Sequence, residues 1–447
     1  MLAILVCLAA LLVTLRAGRR SLGNGIVAVL CFGYTYGIVR ANLPSAASHF
    51  IFDSALLGLY ASQTWSVKRG EKNKQSDIQT WALALMIWPL FMALLPFQNF
   101  WVTMVGLRGC IFFLPLILLG CRLKESDLLI VAKGFAVLNL IAFAFGVLEY
   151  FLGIEKFYPV NEVTQIIYAS NDVAGGEYRI PSIFTNAHAF GGAMVLSIAW
   201  LFGAWSLPGQ KKQNRTLFMA GITAAFIGVL LSATRTNFIV AAILILIATF
   251  TGRLKLQARV AWVVALALIA FLASKNDRLQ RFTSLAEEGT ITGRFQTSVN
   301  LGFWEILNKY PMGNGLGGGG TSMPYFLQNQ VHNQIFMENE YARILAEQGL
   351  IGCLLWASLA VWHLQHRTAF QRTRWLVGRR LGWFTCSISF FLGLTGTGLL
   401  TAIPSTAILL LCLGWVSTAA QRDEKNEKLK FLPAEASRRI IMPSFSA

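Results

Sequence analysis

The chain has 447 residues, 55% of them hydrophobic and only 13% charged, with a formal net charge of +17. A soluble domain carries about 25% charged residues, and apolar runs near the roughly 17–25 residues that cross a bilayer recur from end to end, so the composition excludes a soluble helical protein. The positive charge is not a nucleic-acid patch: it falls in short segments between apolar runs, namely RAGRR (16–20), KRGEKNK (68–74), KKQNR (211–215), RLKLQAR (253–259) and HRTAFQRTRWLVGRR (366–380), which is the positive-inside pattern of cytoplasmic loops.

In chain order, apolar spans are predicted at 2–15, 23–40, 47–66, 81–96, 100–120, 128–152, 188–206, 216–232, 236–252, 260–274, 345–364, 381–399 and 403–420. The fold class is therefore an all-α polytopic membrane protein of about 12–13 transmembrane helices. In MLAILVCLAALLVTLRAGRR the charge follows the apolar stretch, so this reads as a retained first helix with its N-terminus outside rather than a cleaved signal peptide. Threading the chain through these spans places every basic segment, and the tail QRDEKNEKLK, on one side. The organisation is N-terminal transmembrane helices (1–152), an external loop (153–187), transmembrane helices carrying Arg235 (188–274), a large external loop forming a helical cap (275–344), C-terminal transmembrane helices (345–420) and a cytoplasmic tail (421–447).

Within the spans, Asp53, Arg108 and Lys133 are charges that a transporter would use, which keeps a membrane transporter as one reading. The seven cysteines lie in or beside apolar runs without a CxxC pair and read as small hydrophobes. In the first external loop, EYRIPSIFTNAHAFGG places Arg179 ahead of His188, which begins a span. Arg179 can pair with Glu177 or Asp172, or face an anion. SATRTNF places Arg235 between two apolar spans, either as a snorkelling helix-end arginine or as an anion clamp, since guanidinium matches phosphate in a fork.

The second external loop is about seventy residues long, and loops of that size are usually functional. It holds Arg294, near Glu287 and Glu288, and then FQTSVNLGFWEILNKY, an amphipathic helix with Val299, Phe303, Ile306 and Leu307 near one face. GNGLGGGG (313–320) contains GxGxxG but lacks the preceding strand and following helix of a dinucleotide site, so it reads as a flexible or tightly turning segment. QVHNQIFMENEYARILAEQGLIG (330–352) follows. Glu340, Arg343 and Glu347 share one helix stripe and form a structural ion-pair ladder. GLIG starts a span, and His332 with Asn333 stands just ahead of that helix, where an imidazole can exchange a proton near neutral pH or bond a phosphate.

Taken together, the arginine of SATRT, the segment GRFQTSVNLGFWEILNKYPMGNGLG and VHNQIFMENEYARILAEQGLIG resemble the O-antigen ligase and O-antigen polymerase family (the Wzy/WaaL group), over about residues 179–352. The resemblance implies a metal-independent, cofactor-free inverting glycosyltransferase at the periplasmic face of the bacterial inner membrane. It would transfer a glycan from undecaprenyl diphosphate to an acceptor sugar hydroxyl. The leading expectation is a polymerase of a surface or exopolysaccharide repeat, the alternative is a ligase joining O-antigen to lipid A-core in lipopolysaccharide, and the alternative of another class is a lipid-linked glycan transporter. By that resemblance His332, Arg235 and Arg294 are the catalytic candidates. Arg179, Asn333 and His188 are substrate-binding candidates, and no metal ligands are implied. The partners are the undecaprenyl diphosphate-linked donor, a glycan or lipid A-core acceptor and membrane lipid, with no nucleic acid.

Overall fold

The computed structural model describes residues 1–64, 77–169, 178–251, 303–320, 323–335, 339–367, 373–394, 396 and 398–418. Every regular element among them is helical: α1 (Leu2–Arg20), α2 (Leu22–Asn42), α3 (Ile51–Thr64), α4 (Asp77–Met92), α5 (Phe100–Ile111), α6 (Pro115–Cys121), α7 (Glu125–Leu152), a single turn α8 (Gln165–Tyr168), α9 (Ala187–Trp205), α10 (Lys212–Leu231), α11 (Arg235–Thr251), α12 (Phe303–Lys309), α13 (Glu340–Gln365), α14 (Leu376–Leu392) and α15 (Ser405–Ser417). The 3-10 turns Ala46–Phe50, Ile154–Lys156 and Tyr325–Gln330 punctuate the connections among the described residues.

The chain is an all-α, multi-pass membrane protein. Among the described residues, seven segments can cross a bilayer by length and composition: Leu2–Arg20, Leu22–Asn42, Phe100–Cys121, Glu125–Leu152, Ala187–Trp205, Lys212–Leu231 and Glu340–Gln365. Asp77–Met92, Arg235–Phe250 and Ser405–Ser417 are shorter apolar helices. All predicted spans within the described residues coincide with helices. The predicted span 260–274, the basic segments 68–74 and 253–259, the tail 421–447, Val299 and Arg294 lie outside the described residues.

Two spans differ in detail from their prediction. The span at 100–120 is two helices, α5 and α6, joined by a turn at 112–114. Pro115 has no N–H to give to the helical ladder, and the turn closes instead with tighter bonds three residues apart, from Leu114 N to Ile111 O, Leu116 N to Phe113 O and Ile117 N to Leu114 O. The span at 345–364 begins earlier, at Glu340, and breaks at Gly349, whose φ of 69° and ψ of −172° are not helical.

Helix starts follow from side-chain caps. Ser21 accepts from Asn24 N, Asn186 from Ala189 N, and Asn339 from Tyr341 N and Ala342 N. Each cap satisfies N–H groups that a helix leaves orphaned. Between helices, small residues let backbones approach, as lipid chains offer no hydrophobic gain for helix–helix contact. A Cβ on Gly58 would stand 2.3 Å from Leu11 O, and one on Gly120 would stand 2.3 Å from Leu411 O. Polar side chains add contacts inside the bundle. Tyr34 donates to Asn139 Oδ1 at 2.9 Å, and Asn139 Nδ2 donates to Ser197 Oγ at 2.8 Å, tying α2, α7 and α9. Such bonds contribute roughly 0.6–2 kcal/mol each in a membrane.

Antiparallel succession sorts the connections to two ends. At one end Gln63 meets Gly18 O, Asp127 accepts from Gly23 N, and Arg374 lies 3.6 Å from Glu125. This end carries Arg19, Arg20, Arg122, Lys211, Lys212 and Arg374, and is the basic end. At the other, Asn42 reaches Phe157 O, Ile38 N reaches Ile183 O, Asn237 reaches His188 O, and Gln98 reaches Asn314 O. This loop end gathers the connections that hold the candidate residues.

Candidate functional site

The first cluster is built on the connection into α9. Residues 178–186 are fastened against the bundle by buried contacts. Ser182 takes the left-handed φ of 52°. Its N–H donates to Glu149 Oε2 at 2.8 Å, and its hydroxyl donates to Ala142 O at 2.7 Å. The Tyr158 hydroxyl bonds the carbonyls of Ser182 and Phe184. Gly37 of α2 abuts the same segment so closely that a Cβ there would lie 1.9 Å from the Phe184 carbonyl carbon.

That seat sets Arg179 and His188 side by side, with Arg179 Nη1 2.8 Å from His188 Nε2. Guanidinium only donates, so Nε2 is the acceptor and the imidazole is neutral with its proton on Nδ1. His188 stands exposed in the first turn of α9. Arg179 thus pairs with His188; Glu177 and Asp172, the carboxylates that the sequence offers it in the same loop, lie outside the described residues.

Arg235 arrives from α11. The junction 232–237 is a tight corner in which Ala233 has φ 48°. The Ser232 and Thr234 hydroxyls lie 2.7 Å apart, and Asn237 Nδ2 donates to Thr234 Oγ1 at 3.1 Å. Gly191 of α9 fits against it: a Cβ there would meet Thr234 Oγ1 at 2.5 Å. Asn237 Nδ2 also reaches His188 O at 3.5 Å. The first turn of α11, with half-buried Arg235, therefore docks on the first turn of α9, with His188.

The second cluster holds His332 and Asn333, and its foundation is the break in α13. Ending a helix leaves carbonyls without partners. Here Ala346 O accepts from Asn314 N at 2.6 Å, Gln348 O accepts from the Trp88 indole at 2.9 Å, and Leu350 N donates to Pro311 O at 2.9 Å. The glycine segment is thus a tightly turning plug, with Gly313, Gly315, Gly317 and Gly320 all at positive φ. Asn314, anchored by its backbone, uses Nδ2 to bond the carbonyls of both His332 and Asn333 at 3.0 Å. Gln98 completes the frame. Its Oε1 accepts from His332 N at 2.8 Å, and its Nε2 donates to His332 O at 2.9 Å and Asn314 O at 2.8 Å. Asn333 has φ 50°, which asparagine tolerates better than most side chains. The His332 backbone is pinned while its imidazole is exposed.

Beside this frame lies a fully buried charge cluster. Arg343 bonds Glu340 at 2.6 Å and Glu347 at 2.5 Å, with all three side chains at most 2% exposed. The second Glu340 oxygen accepts from Gly398 N at 2.7 Å and Leu399 N at 3.2 Å. The ladder read from the sequence is this buried triad, and removing its arginine would leave two buried carboxylates at a cost of about 3–5 kcal/mol.

The helix α12 turns Ile306 inward, with Phe303 and Leu307 partly buried on the same face, as its amphipathic pattern predicts. Gln98 and Asn314, which position His332, were not singled out in the sequence. Their signals are PFQN between two apolar runs and the asparagine of GNG, each too short to mark a partner remote along the chain.

Fold and site together define a multi-pass helical membrane protein that presents arginine and histidine side chains at one end of its bundle. No protein-family model matches the chain, and no curated protein matches it.

Proposed function

We propose that this protein is a metal-independent inverting glycosyltransferase that takes a glycan from undecaprenyl diphosphate at the periplasmic face of a bacterial inner membrane. The observation that carries the reading is the gathering at one end of the bundle of the Arg179–His188 pair, the Arg235 turn and a histidine whose backbone alone is pinned. In this reading the acceptor hydroxyl oxygen bonds the anomeric carbon from the face opposite the leaving group. The bond from that carbon to the diphosphate oxygen breaks, and its electron pair leaves with the diphosphate. His332 accepts the hydroxyl proton. The arginines oppose the charge that builds on the diphosphate, and one preorganised interaction of this kind is typically worth about 3–4 kcal/mol in the transition state. Arg294 would be a further cation for the same group.

The transporter alternative rested on charges inside spans. Asp53 and Arg108 bond each other in a two-pronged pair, at 2.6 and 2.8 Å, and Lys133 lies in α7; paired charges of this kind suit a transporter as well as a structural tie, so the alternative is carried into the test.

The test is reconstitution of purified protein with an undecaprenyl diphosphate-linked repeat, with and without a lipid A-core acceptor. Long glycan on the carrier lipid alone means polymerase, the form we favour. Product only with the core acceptor means ligase. His332→Ala should insert and fold normally yet lose transfer by a factor of about 100 or more, and activity like the wild type in that variant would overturn the assignment.

A further inference from the structure

The connection from α4 to α5 reads LLPFQN (94–99), and α5 opens on Phe100 and Trp101. Residues 78–107 carry no charged side chain and no histidine, whereas the connection after α7, at the same end of the bundle, carries Glu155, Lys156 and Glu162. Turns that stand in water are built mainly from polar residues, glycine and proline, so this tip departs from its neighbour. Its apolar side chains point outward. Leu94 is 80% exposed, and Phe100 and Trp101 are each 63% exposed, with their rings edge to face at 5.3 Å. Leu83, Ile87, Leu90 and Phe91 are exposed along one face of α4 at helical spacing, and Leu94 continues that stripe past the helix end. In a multi-pass membrane protein an outward apolar stripe faces lipid, and the tip is continuous with it.

The polar groups of the tip turn back onto the protein. Gln98 frames His332 and Asn314, and Asn99 Oδ1 accepts from Trp101 N at 3.1 Å. The N–H groups of Ala93, Leu94, Leu95 and Phe97 bond the carbonyls of Pro89, Phe91, Met92 and Leu95, and Pro96 has none to satisfy. Unbonded donors are what keep irregular backbone out of lipid, and residues 93–97 present none. On its inner side the tip is fixed against the plug, where a Cβ on Gly315 would stand 2.6 Å from Phe97 Cβ.

We propose that the α4–α5 connection is an interfacial anchor, which seats Leu94, Phe100 and Trp101 among the lipids of the leaflet at the loop end. Aromatic side chains at the ends of spans favour that boundary, where an apolar ring meets lipid and its polar edge meets water. Gln98 lies between the anchored residues, so the depth at which lipid holds the tip is the depth at which the His332 backbone is held. This inference rests on the membrane fold and not on the transferase reading.

The test is photocross-linking of the full-length protein in nanodiscs of phosphatidylethanolamine and phosphatidylglycerol. The photoreactive residue p-benzoylphenylalanine replaces Phe100 in one protein and, as the lipid-facing reference, Ile87 of the α4 stripe in another. Mass spectrometry of the irradiated proteins reads what each captures. A lipid adduct at Phe100 with a yield within about tenfold of that at Ile87 is expected. A lower lipid yield overturns the proposal, whether the photoproduct joins a second copy of the chain, another part of the same chain, or solvent alone. Should the Phe100 variant fail to elute as a folded species on size exclusion, the same replacement at Trp101 decides by the same measure.

Discussion

His49 shows how position alone retunes a side chain. It sits half-buried in the turn Ala46–Phe50 ahead of α3, with its ring edge-on to Phe326 at 5.8 Å and its carbonyl accepting from the Tyr36 hydroxyl at 3.2 Å. Burial, reinforced by the Arg40 and Arg108 guanidinium groups, lowers its pKa to about 4. Between that value and the ordinary histidine range near 6.5, the unfolded chain binds a proton that the folded chain does not. Stability therefore rises with pH across this window, and is lost as pH falls from about 6.5 towards 4. His49→Gln should flatten the change in thermal midpoint between pH 7.5 and 5 relative to the wild type, as read by thermal unfolding in detergent. An identical slope in the variant would show that His49 does not set it.

Arg179 and His188 carry a similar lesson. Either residue alone, at a helix end, is as readily structural as functional. Only the folded segment 178–186 shows that they bond each other, with the imidazole neutral and accepting.

At the scale of elements, the break in α13 links three stretches of sequence that are remote along the chain. The GLIG stretch supplies Gly349, the plug supplies Asn314 and the α4–α5 connection supplies Gln98. Gly349 combines a positive φ with an extended ψ, a backbone region essentially reserved for glycine. A Cβ there would also lie 2.5 Å from the Met312 carbonyl carbon. Gly349→Ala should therefore push the plug away from α13, release the Asn314 bonds and move His332. We expect a loss of transfer activity approaching that of His332→Ala, with protein still inserted. The same variant should expose residues 311–320 to limited proteolysis. Unchanged proteolysis and activity would show that the plug does not position His332.

At the scale of the whole molecule, charge and polarity are split between the two ends of the bundle. Spanning helices present apolar side chains outward, as with Leu5, Leu8 and Leu12 of α1 and Leu148 of α7. The basic end carries the positive segments that read as cytoplasmic, and the loop end carries the candidate site. A cysteine replacing exposed Lys156 at the loop end should react with a membrane-impermeant maleimide on intact spheroplasts. One replacing exposed Lys211 at the basic end should react only after permeabilisation. The reverse pattern would invert the orientation and with it the periplasmic reading.

Legible in the amino-acid sequence alone were the helical membrane class, the span positions among the described residues, the placing of the described basic segments at one end and the Glu340–Arg343–Glu347 stripe. All of these follow from local composition and from periodicity within one helix, where neighbours three and four apart meet whatever the rest of the chain does. Only the tertiary structure decided that Arg179 bonds His188, that Asp53 answers Arg108 and that Gln98 and Asn314 hold His332 by its backbone. Those pairings join separate helices and loops. Their partners are chosen by where close glycine contacts and a broken helix bring backbones together, and no periodicity along the chain encodes that choice.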